Sequence, residues 1–459
     1  MIFPIRSRKE RKGARKERKE YTYNYLFPNF AHALRPLREF TISLILAVLS
    51  YSLIAAPSNA TDFHGFYQAN YSLRLPDGDK RCQPGQTEAC RREFILGEER
   101  LQLKFTPFAA SETTDSFAKV DFYHDSVSDS FKGDIREAYL DYFADTYDIR
   151  VGRQIITWGL GDLLFINDVY PKNWVAFLSG AQMQYLKTGS DALKLNIYRE
   201  KRNFEFVAIP FFEADIVPDG QRLLYYDPIA AIQNRSTSKP KQKIENTEAA
   251  LRISQRVGDF DTSLYLFRGF YKTPSVDIAP GDTSLTFYYP RLNLYGFSAQ
   301  GACKNGVLSI EGGYLESVTD KNGGNPNVPN SQIRFLLGFQ KELKTDFTAG
   351  FQYYIEAMRD HGSYTKTLPA GFPAQDKLRH LVTLRLTRLA DYQTTKMSVM
   401  SFYSPSDSDY YLNPDISHNY SDQLSLTAGL NIFGGKERHT FFGQFDKNDN
   451  LYVRVEYHF

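Results

Sequence analysis

Four charged residues in one stretch of the chain, Asp162, Asp168, Lys172 and Lys187, carry both signs and are spaced so that they can line a common constriction. Carboxylate and ammonium groups arranged in this way select small solutes by their field and do not themselves break bonds. A second set, Arg100, Arg136, Arg252, Arg256, Arg334, Arg385 and Arg454, recurs on one side of alternating segments and reads as a charge ladder for anions. Glu98, Asp121, Glu137, Asp141, Glu311 and Glu456 share that side, so mutual salt bridging is the competing and stronger expectation. Catalysis has little support, since the chain has no G-x-S-x-G elbow, no H-E-x-x-H pair and no Gly-rich phosphate loop. His124 near Asp121 and Asp141 is the one acid–base grouping, and a barrel enzyme built on it is the weakest functional alternative. No catalytic residue, metal site or cofactor is expected. Cys82 and Cys90, in a polar segment, read as a loop disulfide formed in an oxidising compartment, which leaves Cys303 unpaired.

The elements that must position these groups alternate with period two. In the closing stretch, Leu451, Val453, Val455, Tyr457 and Phe459 fall on one face, and Tyr452, Arg454, Glu456 and His458 on the other. A strand of about 10 residues, apolar outward and polar inward, with an aromatic ring at its end, suits the wall of a membrane-spanning barrel. It also resembles the closing-strand signal of bacterial outer-membrane barrels, which implies recognition of the Phe459 strand by a barrel-assembly machinery. Earlier runs follow the same scheme: Leu101, Leu103 and Phe105 oppose Arg100, Gln102 and Lys104, and Val382, Leu384 and Leu386 oppose Thr383 and Arg385. Tight links near Asp145, at Glu200–Asn203, at Gly258-Asp259, at Asn305-Gly306 and near Thr345, Asp391 and Ser421 are read as strictly alternating with long polar ones. The fold class expected is all-β: a transmembrane antiparallel β-barrel of about 18 strands, with 16 the alternative, since bacterial barrels keep an even number. Both chain ends would then lie at the rim of short periplasmic turns.

Charge and composition agree with that reading. Residues 1–60 hold 11 of the 55 basic and 4 of the 53 acidic residues, so the remaining 44 and 49 leave residues 61–459 mildly acidic. A nucleic-acid surface is therefore disfavoured. The basic front, the apolar run Phe40 to Ala56 and the small residues Ser58-Asn59-Ala60 together read as a leader and secretory signal peptide. Residues 61–459 read as one barrel domain in the bacterial outer membrane. The 31 Tyr and 35 Phe suit aromatic girdles at the two membrane interfaces. Lipid and lipopolysaccharide are the expected surroundings, with Arg235 to Lys243 either meeting lipopolysaccharide phosphates or simply solvated, and a homotrimer is an allowed assembly.

Both tryptophans lie in the most distinctive segment, Gly152-Arg153-Gln154 through Trp158-Gly159 and on to Trp174. The segment Asp134–Gly180 resembles porin-like barrels related to alginate exporters, in which this strand leads into a loop that folds into the lumen. Residues 159–190 are also long and apolar at Leu163, Leu164, Phe165, Val175, Phe177 and Leu178, and such groups favour burial against the wall over water. The loop is therefore expected to act as a constriction or as a packing plug. Strict alternation from Ile149 and Val151 sends Arg153 toward lipid, which requires either a bulge or a change of register. A channel for small polar or charged solutes is the leading function, and a conduit for polysaccharide export is the alternative.

Overall fold

The structure, a computed structural model, describes residues 63–75, 83, 85–108, 111–278 and 284–459. The leader expected over residues 1–60 lies outside the described residues, as does Cys82. Cys90 is disulfide-bonded and Cys303 is free. Strands follow in chain order as β1 (Phe63–Arg74), β2 (Phe94–Phe105), β3 (Thr114–Asp125), β4 (Ser130–Phe143), β5 (Tyr147–Gln154), β6 (Ser190–Arg199) and β7 (Arg202–Ile209). Next come β8 (Asn234–Ser238), β9 (Glu248–Val257), β10 (Phe260–Phe270), β11 (Ser275–Asp277), β12 (Ser284–Tyr288), β13 (Arg291–Cys303) and β14 (Gly306–Ser317). The last are β15 (Gln332–Lys344), β16 (Phe347–Met358), β17 (Leu378–Ala390), β18 (Thr395–Ser404), β19 (Asp409–Asn419), β20 (Leu424–Gly435) and β21 (Asn450–His458).

All but β8, β11 and β12 form one 18-stranded sheet in which each strand pairs antiparallel with its neighbour along the chain. β21 pairs back onto β1, from Phe66 opposite His458 to Arg74 opposite Asn450, so the ring is closed. Closure satisfies every wall strand on both sides and leaves no open edge, the condition for a sheet to sit in hydrocarbon. Gly65 and Phe459 exchange both backbone hydrogen bonds at 3.0 Å, which brings the two ends of the wall together at the rim of short turns.

Alternation determines what each face meets. Leu264 and Leu266 on β10, Phe297 on β13, Phe335 on β15 and Leu384 on β17 point outward and are exposed, forming the apolar belt a bilayer requires. In β21, Leu451, Val455 and Tyr457 are exposed outward while Tyr452 and Glu456 are buried inward. The inner face is less uniform. Ala192, Val207, Ala250, Phe267, Leu294 and Leu315 make one buried apolar patch, and Leu336, Tyr354, Leu381, Phe402, Tyr411 and Phe433 belong to another. Both patches are covered by chain that enters the barrel.

Link lengths depart from the strict alternation expected. On the long-loop rim, β3 joins β4 through residues 126–129 and β18 joins β19 through 405–408, while 106–113 on the opposite rim is the longer link between β2 and β3. The tight hairpins escape a search for polar loops because their turn residues, such as Asp129 and Ser408 at positive φ, extend the polar face of the flanking strands. Long loops also carry structure of their own: β8 pairs parallel with β12, which pairs antiparallel with β11.

Candidate functional site

The link from β5 to β6, residues 155–189, contacts strands all around the ring, which it can do only from inside. Ile156, Trp158 and Tyr170 pack on the first apolar patch, and Leu164, Ile166, Phe177 and Leu178 on the second. Each such burial contributes about 1.5–3 kcal/mol, enough to favour an infolded loop over one held in water. Asn173 caps the short helix Trp174–Ser179 by accepting from Ala176 N, and Gly180 in the left-handed region ends it. Burial holds the phenols of Tyr170 and Tyr185 well above their ordinary range, so both remain neutral.

Glu311 on β14 is the principal tie between wall and loop. Its fully buried carboxylate accepts from Leu160 N at 2.7 Å, Gly161 N at 3.0 Å, Asn167 N at 2.9 Å and Asn167 Nδ2 at 2.9 Å. These bonds satisfy three backbone donors that a non-helical segment would otherwise bury unpaired. Gly296 on β13 makes the approach possible, because a Cβ there would lie 1.7 Å from Asn167 Oδ1. Three strands along the wall, Arg385 of β17 grips Asp162 through two bonds, one of 2.9 Å, and Gln352 of β16 accepts from Asp162 N at 3.2 Å.

The remaining loop charges bind one another. Lys172 Nζ lies 3.2 Å from Asp168 Oδ1, and Lys187 Nζ lies 2.7 Å from Asp168 Oδ2. Asp168 and Lys172 are buried, and only Asp162 and Lys187 of the four expected constriction residues keep appreciable exposure.

The arginines of the expected ladder mostly face partners. Arg100 sits 2.7 Å from both Glu98 and Asp121 and stacks over the Tyr185 ring at 4.3 Å. Arg252 meets Glu205 at 2.9 Å, whose other oxygen accepts from Trp158 Nε1. Arg334 meets Glu356 at 3.1 Å and reaches Phe165 O at 3.4 Å. Arg454 pairs with Glu456 at 3.1 Å, and Arg256 bonds Gly258 O at the turn rim. Arg136 is the extra residue of a bulge: Lys119 pairs with Glu137 and Val120 with Ile135, so Arg136 turns to donate to Gln184 O and Lys187 O at 2.9 and 2.7 Å.

Two other expectations change. Gly152 adopts φ +128°, which breaks the alternation of β5. Arg153 then meets Ile135 O at 2.7 Å and Glu213 at 3.3 Å, lining the same cavity as Arg136. His124 pairs with Glu99 and Asp129 at 3.1 and 3.2 Å, while Asp121 on the opposite face serves Arg100. The proposed acid–base trio therefore does not assemble.

The helix Trp174–Ser179 divides the loop-rim mouth into two cavities of about 610 Å³ each. Trp174 and Phe177 line the first, and Val175, Ala176 and Ser179 line the second, as opposite faces of one helical turn must.

A closed 18-stranded antiparallel wall with an apolar outer belt, an inner face of polar groups and two apolar patches, and an infolded loop has the porin-like barrel architecture. Solved structures of that type match: Pseudomonas aeruginosa OccD3 (OpdP) at 7% identity and TM-score 0.53, covering 88% of this chain and 92% of that one. Acinetobacter baumannii OccAB4 matches at 11% identity and TM-score 0.50, covering 86% and 97%, and OccAB3 at 9% and 0.50, covering 86% and 98%. No family model matches the chain, and no curated protein does. The alginate-exporter likeness drawn from Gly152–Gly159 gains no support from these matches.

Proposed function

We propose that this protein is a porin-like channel, passing small polar or charged solutes through a lumen narrowed by residues 159–190. The observation that carries the reading is the infolded loop, tied to Glu311 on β14 and Arg385 on β17 and flanked by two open cavities. A loop so held restricts passage by shape, and its paired charges make the restriction mild toward either ion sign. Purified protein in planar bilayers is expected to give stepwise conductance, and deletion of residues 159–190 to enlarge the steps. Silence from both proteins refutes the channel.

The further parts of this reading rest on the sequence. Residues 1–60 act as a leader removed on export, the Phe459 strand is what a barrel-assembly machinery engages, and a homotrimer is the assembly to test by crosslinking in membranes. The alternative, a conduit for polysaccharide export, rests on the Gly152–Gly159 run alone. A current block by alginate oligomers, absent with neutral solutes, would favour it.

A further inference from the structure

We propose that the first mouth cavity is a docking site for a short neutral saccharide, a substrate class that rests on the channel reading and narrows it. Three rings meet there. Trp174 stands edge-on to Phe165 and to Phe441, with centroids 6.0 and 5.8 Å apart, and all three keep surface open to the cavity. Apolar rings left open beside water are costly unless something covers them.

The charges around this platform decide what covers it. Arg334 is matched by Glu356 at 3.1 Å, Lys172 by Asp168 at 3.2 Å, Lys272 by Glu248 at 2.5 Å and Arg379 by Asp407 at 2.6 Å. With each of these cations paired, the described residues lining the cavity offer no unmatched positive centre to fix an anion. It offers donors and acceptors together: paired guanidinium and carboxylate groups, and the exposed amides of Asn327 and Gln375. Hydroxyl groups donate and accept at once, so they suit such a rim. A pyranose ring combines an apolar C–H face with a hydroxyl edge, and a cavity of about 610 Å³ falls in the range of small-ligand sites. A flat aromatic solute would use the rings and leave the polar rim unsatisfied, and a carboxylate would have to displace Glu356 or Asp168.

Two readouts on the full chain test this, both in a detergent without a sugar headgroup. The first is tryptophan emission. The chain has two tryptophans, and Trp158 is buried and does not line the cavity, so Trp158→Phe leaves Trp174 as the reporter. Titration with maltotriose is expected to give a saturating shift in emission that benzoate does not give. The second is single-channel recording, in which maltotriose interrupts the current in a concentration-dependent way. Trp174→Ala and, independently, Phe441→Ala raise the half-blocking concentration by roughly tenfold, as loss of one ring contact predicts. A conducting channel with no emission shift and no interruptions overturns the saccharide site and leaves the channel intact. Equal response to benzoate overturns it too, as do interruptions that survive both substitutions. A silent bilayer combined with a maltotriose-dependent emission shift overturns the channel and keeps the site.

Discussion

Replacing Glu311 by alanine should release the infolded loop without opening the wall. The carboxylate takes four hydrogen bonds from the loop, at 2.7 to 3.0 Å, and lies fully buried on β14. A hydrogen bond to a charged group contributes about 1.5–3 kcal/mol net, and water entering the released space recovers part of that. Counting only two of the four bonds at the lower figure still gives about 3 kcal/mol, roughly a hundredfold shift in the docked-to-released ratio. The ladder of β14 to β13 and β15 is backbone-made and unaffected, so the heat-resistant barrel band on a gel should persist. Single-channel records of E311A are expected to show larger or flickering conductance, and trypsin is expected to cut at Lys187 faster than in the parent. E311Q keeps one acceptor and should fall between. If E311A matches the parent in conductance, noise and trypsin resistance, the assignment of Glu311 as the tie is wrong.

Gly296→Val should act in the same direction, because its Cβ would overlap Asn167 Oδ1, and combining it with E311A should add little, since both release one segment. In the Asp162–Arg385 pair the side chains are 42% and 34% exposed, so D162N should cost only about 0.2–1 kcal/mol of stability. Its signature is a reversal potential moved toward anion preference at 0.1 M salt that fades at 1 M. Lys272→Met strands Glu248 as a buried unpaired charge and should destabilise by about 3–5 kcal/mol, with K272M/E248Q recovering most of the loss in denaturant unfolding.

Much of the wall was legible because its outer face is largely apolar and period two survives wherever the inner face is polar. The β21 pattern from Leu451 to Tyr457 is the plainest case. Legibility failed where the lumen itself is apolar. Strands carrying Leu294, Leu336, Leu381 or Phe402 inward present nonpolar groups to both sides, and alternation blurs. Glu311 was readable as an inward carboxylate but not as the loop's anchor, because its partners lie some 144 to 151 residues earlier. Likewise, the run Gly152-Arg153 shows a glycine, and only the backbone angle at Gly152 reveals that alternation stops there. The paired state of Asp168, Lys172 and Lys187 is a matter of loop folding that spacing alone leaves open.

The closed ladder from β1 round to β21 is complete in its own backbone, whereas residues 155–189 are fastened to it by side chains. Container and filler are thus separable. Residues of the filler can therefore be exchanged while the hydrogen-bonded strands of the container, which draw nothing from it, still close the cylinder.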